Sequence, residues 1–164
     1  MPLTLTDKPA TGSLPVHLTT RSGFETLDIG ADARDWAKAN GFSGQAGRLL
    51  ALPGSDGKLA GAIFGLDEKL NGFSALQVGS LARLLPDGAW HFASTPNDSD
   101  LAALGVMLGS YSFTRYRKGE ARDLIFAAPD GVDAASARRR AEATFLVRDL
   151  INTPTSDMGP DALE

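Results

Sequence analysis

Cysteine does not occur in the 164-residue chain, which excludes a disulfide framework, a thiolate metal site and a cysteine nucleophile. A reducing compartment suits such a chain, and the cytoplasm is the expected location. Histidine is nearly as scarce. Only His17 and His91 are available as a general base or imidazole ligand, and each falls in an apolar strand pattern rather than in a paired metal spacing. Both read as structural. There is no surplus of positive charge: 16 Lys and Arg stand against 20 Asp and Glu, for a formal charge of −4. The chain as a whole repels phosphate backbones, so no nucleic acid partner is expected. Long apolar runs are missing as well. The longest uncharged stretch, Leu101 to Thr114, is too short to span a bilayer, and Met1 to Thr20 shows no basic segment followed by an apolar core. Neither membrane insertion nor secretion is indicated.

What is present suits one globular domain plus a connector. Hydrophobic residues make up 43% of the chain, and a chain of this length can bury about 70% of its unfolded surface. Residues 1–13 mix Thr, Pro, Asp, Lys and Gly without periodicity and read as a loose arm. Leu14 to Thr20 reads as the first strand. Ala31 to Asn40 places Ala33, Trp36 and Ala37 on one side of a helix, with Gly41 suited to a left-handed closing residue. Arg48 to Leu52 and Leu59 to Leu66 flank an Asp56-Gly57 turn and form a hairpin. Helical spacing of Val78, Leu81 and Leu85 predicts a short helix over 74–85 before the Pro86-Asp87-Gly88 turn.

Further along, Ala89 to Ala93 is a strand. Asn97 then caps a helix with Asp100 three residues on, and Leu101, Leu104, Leu108 and Tyr111 line one of its faces. Asp123 to Ala127 reads as a central strand covered on both faces. The last helix, 134–151, carries Ala143, Val147, Leu150 and Ile151 on its apolar side, with Asn152 as a left-handed closing residue and Thr153 held extended by Pro154. Strands alternating with helices, plus one hairpin, imply an α/β fold: a mixed sheet covered by helices on both faces in three layers.

Several patterns imitate known sites without meeting their spacing. In the Gly44 to Gly65 stretch, Leu52 stands where a phosphate loop needs its earlier glycine, and Leu59 where it needs Ser or Thr. Turn and hairpin glycines are the better reading. Gly72-Phe73-Ser74-Ala75-Leu76 lacks the second glycine of a nucleophile elbow, leaving Ser74 as a helix cap. Arg138-Arg139-Arg140 fan through about 200 degrees on a helix, with Arg138 placed to pair with Glu142. Tyr111, Phe113 and Tyr116 read as core anchoring the exit from the preceding helix. The spacing of Asp149, Asn152, Asp157 and Asp161 matches no calcium loop, so caps and turns account for most of them.

The chain's last residues carry the most information. Arg148-Asp149-Leu150-Ile151-Asn152-Thr153-Pro154, followed by Asp157-Met158-Gly159-Pro160, resembles the junction between the amino-terminal and catalytic domains of the leucyl aminopeptidase family, cytosolic two-metal exopeptidases. Tyr111-Ser112-Phe113-Thr114-Arg115-Tyr116-Arg117 is similar to the aromatic segment those proteins carry after a helix of their amino-terminal domain. Residues 1–100 share only the order of elements. Gly159 to Glu164 also opens a helix, with Pro160 in its first turn and Asp161 and Glu164 near the positive end of the dipole. An isolated helix needs roughly 12 to 15 residues, so 1–164 reads as an amino-terminal piece: an arm (1–13), an α/β domain (14–151), and a linker with the start of a catalytic domain (152–164).

The resemblance implies a macro-domain-like fold and a parent that removes amino-terminal residues, often leucine, from peptides. Two divalent ions, zinc or manganese, would sit in the parent's carboxy-terminal domain, among a lysine and carboxylates that nothing in 1–164 matches. No catalytic, cofactor-binding or metal residue is therefore carried onto this chain, which is expected to be inactive alone. The implied partners are its own catalytic domain, a peptide substrate and further copies in a homo-hexamer, with a role in assembly and in access to the active site. The alternative is a macro-like module binding ADP-ribose or a related nucleotide.

Overall fold

The computed structural model describes residues 3–69, 74–116 and 122–158. Six strands form one mixed sheet: β1 (Leu3–Thr6), β2 (Leu14–Thr19), β3 (Leu49–Pro53), β4 (Leu59–Gly65), β5 (Gly88–Phe92) and β6 (Leu124–Ala127). They lie in the order β1-β6-β5-β2-β4-β3, with only the β3–β4 hairpin antiparallel. Four α-helices join them: α1 (Ala31–Ala39), α2 (Leu81–Leu84), α3 (Ser99–Gly109) and α4 (Ala134–Asn152). A 3-10 segment, Ser74–Ser80, leads into α2.

The alternation of strand side chains divides the core into two. Val16, Ala62, Phe64, Trp90, Leu124 and Phe126 face α3, α4 and the Ser74–Ser80 turn in the larger cluster. Ile63, one residue out of phase with Ala62 and Phe64, instead joins Leu52, Phe24, Phe42 and Ala37 of α1 in a smaller cluster on the opposite face. Helices thus lie on both faces. Each large apolar side chain buried this way stabilises the fold by roughly 1.5–3 kcal/mol.

Residues 1–13 are not a loose arm throughout. Leu3 and Leu5 are 3% and 1% exposed and pair in parallel with Leu124 and Phe126, so burial of two alternate leucines holds β1 at the sheet edge. This strand separates β6 from the rim. β6 therefore has a neighbour on each side but is not the central strand. The helix expected over 74–85 divides into the 3-10 segment and α2, where its backbone meets α3 closely. A side-chain carbon on Gly109 would stand 1.9 Å from the Gly79 carbonyl oxygen, a distance that only two glycines permit.

Caps set the helix limits. α3 begins one residue later than expected because Asp98, not Asn97, accepts from the Leu101 amide at 2.9 Å, a charge-assisted bond at the positive end of the helix. Asp133 does the same for α4 through Ser136 N at 3.0 Å. Gly41 has φ +63 and closes α1 in the left-handed region, as its position predicts. Asn152 takes no such conformation: among the described residues only glycines have positive φ. α4 stops because Thr153, extended before Pro154 at φ −83 and ψ 123, returns its hydroxyl to the Asp149 carbonyl at 2.7 Å.

The largest departure concerns the face α4 buries. Ala134, Ala137 and Ala141 are its buried residues, with Phe145 packed partly against the core. Leu146, Val147 and Ile151 are 62%, 53% and 77% exposed, and Ala143 lies on that outer side too. Alanines let α4 approach α3 and β1 closely, whereas a periodicity reading weighted by side-chain size selects the opposite stripe.

Candidate functional site

Two segments remote in sequence, 111–116 and 148–157, interlock at the carboxyl end of α4. The Tyr111 hydroxyl donates to Asp149 Oδ1 at 2.7 Å and accepts from Asn152 Nδ2 at 3.1 Å. Its ring lies 5.3 Å from that of Phe145 and 5.3 Å from the Arg148 guanidinium carbon, while Arg148 Nη1 donates to the Leu108 carbonyl at 3.1 Å. One turn on, the Tyr116 hydroxyl donates to Asp157 Oδ2. Desolvation and then the Asp149 carboxylate push the Tyr111 phenol up, and the hydrogen bond to Asp157 does the same for Tyr116. Both stay protonated donors at neutral pH.

This arrangement fixes the direction in which the chain leaves α4. Asp149, Asn152 and Asp157 are engaged by tyrosine hydroxyls, so as a set they serve a junction rather than a cation; Asp161 lies outside the described residues. Among the described residues no group of three His, Cys, Asp or Glu is placed to hold a metal ion. The two tyrosines do more than fill a core: Tyr116 is 53% exposed, and its work is done through the hydroxyl.

The remaining candidates separate. His91 accepts from or donates to Ser13 Oγ through Nδ1 at 2.9 Å, on the sheet face opposite Trp90 and Phe92. His17 lies on that same face. Burial holds both imidazoles below their usual value, opposed at His17 by Asp28. Gly57 and Lys58 belong to the β3–β4 turn, where Lys58 N donates to Asp56 Oδ1 at 3.0 Å. Gly72 and Phe73 lie outside the described residues. The arginine triplet disperses: Arg138 donates to the Leu5 carbonyl at 2.8 Å instead of pairing with Glu142, Arg139 approaches Asp133 and Arg140 reaches Asp100. Arg138 turns inward because β1 brings an edge carbonyl within reach, a partner that sequence spacing could not indicate.

Loop residues also shape a cleft that no motif announced. It occupies about 390 Å³ beyond the carboxyl ends of β2, β4 and β5, with Leu18, Leu66, Ala75 and Val78 among its lining and Thr20, Thr26, Asp28, Ser94, Thr95 and Asn97 as its polar groups. Here the chain connections diverge: β2 leads through α1 toward β3 and β4, whereas β5 leads through α3 to β6. Open parallel sheets form crevices at such a switch point.

Comparison with known proteins agrees with this geometry. Residues 15–127 match the family described as M17 aminopeptidase, N-terminal domain. A probable cytosol aminopeptidase of Leifsonia xyli is 35% identical over an alignment of 164 residues that covers 87% of this chain and 33% of that protein. One from Methylorubrum extorquens is 33% identical over 148 residues, covering 76% and 30%. Among solved structures, a cytosol aminopeptidase from Coxiella burnetii superposes with a TM-score of 0.74 at 29% identity, covering 98% of this chain and 35% of that one. The chain thus spans about a third of the length of the relatives it matches.

Proposed function

The chain belongs to the M17 aminopeptidases, whose N-terminal domain it matches, and from that premise we propose that it is the accessory domain of a metal-dependent leucyl aminopeptidase. In this reading residues 14–151, with β1 added, form the accessory unit, and the chain from Asn152 leads into a catalytic domain. The full-length protein removes amino-terminal residues from peptides in the cytoplasm and assembles as a homo-hexamer. Two divalent ions, zinc or manganese, supply Lewis-acid and water-activating chemistry in the catalytic domain. The described residues here do not suit those ions, since Asp149 and Asp157 accept from tyrosines.

The observation that carries the proposal is the outer stripe of α4. Ala143, Leu146, Val147, Leu150 and Ile151 recur at helical spacing, and three of them are more than half exposed, directly before the tyrosine-pinned connector. A contiguous apolar stripe on a water-facing helix marks a surface that another element covers. In this reading the first element beyond the connector is the catalytic domain, for which the greater length of the matched relatives, about three times that of this chain, leaves room. Covering the stripe and fixing the connector would hold the two domains in one orientation, which suits a role in assembly and active-site access.

The test separates docking from folding. With added manganese, the 164-residue chain should leave leucine-anilide intact while the full-length protein cleaves it strongly. Ile151→Asp should leave the melting temperature of the 164-residue chain nearly unchanged, because that side chain is 77% exposed, yet lower the melting temperature and activity of the full-length protein. Equal effects on both would sink the docking face. The alternative, an ADP-ribose module, finds less support: among the described residues no Lys or Arg lines the cleft at the strand ends, and a diphosphate would lack a counter-charge there.

A further inference from the structure

We infer that the open edge of β3 is a strand-pairing surface for a second copy of this chain, and that the Trp36 indole holds it shut. β3 is the last strand in the sheet order, with β4 on one side only. In an antiparallel ladder, hydrogen-bonded and non-hydrogen-bonded pairs alternate. Gly65 N donates to the Arg48 carbonyl at 3.0 Å, and the register continues with Leu49 opposite Phe64, Leu50 opposite Ile63 and Ala51 opposite Ala62. Leu50 therefore bonds toward β4, whereas the N–H and C=O groups of Leu49 and Ala51 point away from it. Such a row of outward backbone groups is a template for another strand. Trp36 of α1 occupies one of them: its Nε1 donates to the Ala51 carbonyl at 3.0 Å, while the side chain stays 43% exposed. The bond closes the edge without being part of the core.

The more common guard of an edge strand, a charged side chain, is missing from β3. Leu49-Leu50-Ala51-Leu52-Pro53 carries no charge. Arg48, just before it, donates instead to the Gly41 and Asn40 carbonyls at 2.7 and 2.6 Å, and Lys58 in the following turn approaches Asp56. Pro53, which has no N–H, and the register shift beside it limit the pairing surface to the residues before them. The opposite edge is covered differently. There Arg138 donates to the Leu5 carbonyl, a cation that would oppose an identical edge. The cover on β3 is neutral, so removing it presents an uncharged strand to its own copy. Two such strands, antiparallel about a two-fold axis, are self-complementary.

α4 packs near β1, at the other end of the strand order, so this edge and the α4 docking face can fail separately. The test measures association of the 164-residue chain by light scattering over a concentration series, with amide hydrogen exchange by NMR to locate the contact. Trp36→Phe, which keeps a ring and loses the N–H, should tighten dimerisation about tenfold, the scale of one hydrogen bond. Trp36→Ala should tighten it at least as much. Melting temperature should be nearly unchanged in the dilute Trp36→Phe chain. In the parent, the Leu49 and Ala51 amides should exchange fast and those of Leu50 and Leu52 slowly; in the Trp36→Phe dimer all four should be slow. Ala51→Lys added to Trp36→Phe, at an exposed position, should restore the parent's weak association by setting like charges across the axis. Parent-like association of both Trp36 variants would overturn the inference, as would a dimer that leaves Leu49 and Ala51 exchanging fast or that survives Ala51→Lys. Slow exchange of those two amides in the monomeric parent would show that the edge is not open.

Discussion

The two faces of the sheet are closed to different degrees. On one, Leu3, Leu5, Val16, Trp90, Leu124 and Phe126 are all under 4% exposed beneath α3, α4 and the segment leading to α2. On the other, Ala37 of α1 together with Phe24 and Phe42 from the segments flanking that helix covers Ile63 and Leu52, while Pro15, His17, His91 and Ile125 remain partly exposed and Thr4 is exposed. A strand buried on one face only can place polar side chains on its other face at no cost in burial. The half-open face thus admits the chain's two histidines, and the closed face admits none. Stability should be concentrated accordingly.

The largest effects are expected on the closed face. Met107 is fully buried in α3, and Met107→Ala should cost about 2–5 kcal/mol by leaving a cavity. Gly109→Leu should be at least as damaging, because its first side-chain carbon would meet the Gly79 carbonyl at 1.9 Å and force the two backbones apart. Urea denaturation measures both. If either variant melts like the parent, the close packing of α3 on Gly79 is not what holds that layer.

On the half-open face the corresponding clamp is polar. Arg34 of α1 donates to the Phe24 carbonyl at 2.9 Å and the Glu25 carbonyl at 3.0 Å, reaches the Leu27 carbonyl as well, and lies 5.9 Å from the Phe24 ring centre. Arg34→Ala should cost about 1 kcal/mol, hydrogen bonds from a partly solvated cation being worth less than buried ones. The same denaturation series would show it as a midpoint shift well below that of Met107→Ala. A loss equal to that of Met107→Ala would erase the contrast between the faces.

Much of this asymmetry could be read beforehand, and the parts that could not share a cause. β2, the hairpin, α1 and α3 follow from local periodicity and turn chemistry, because neighbours in sequence decide them. β1 was invisible. Its partner β6 is more than a hundred residues away, and the Leu-Thr-Leu-Thr alternation, a strand signal only four residues long, is outweighed by the Pro, Lys and Gly that follow it. α4 was legible as a helix but not in orientation: apolar size pointed to Val147 and Ile151, whereas close packing selected Ala137 and Ala141. The junction was legible only as two separate resemblances, and the hydrogen bonds joining Tyr111 to Asp149 and Asn152 needed the fold. The cleft had no motif at all, being assembled from the ends of three strands.

The smallest effect, and the one that most sharpens the contrast, depends on pH. Burial holds the pKa of both His17 and His91 below the ordinary imidazole value of 6.5, so the folded state prefers both imidazoles neutral. An unfolded chain takes up those protons first as pH falls through about 6.5. Because the unfolded state then binds more protons than the folded one, stability must decrease with falling pH until the lower folded values are also passed. The stabilisation is thus complete above about pH 6.5 and is lost below it. His17 should contribute more than His91, whose Nδ1 can still face the Ser13 hydroxyl as a donor once protonated, although Asp28 partly opposes the shift at His17. Melting temperature measured from pH 7.5 to 5.0 should fall in the parent and fall less in a His17→Gln, His91→Gln double variant. The Met107→Ala variant should keep the parent's slope at lower absolute stability, since both histidines lie on the other face of the sheet. If the double variant kept the full slope, the proton uptake would have to come from elsewhere, and the half-open face would lose its distinguishing chemistry.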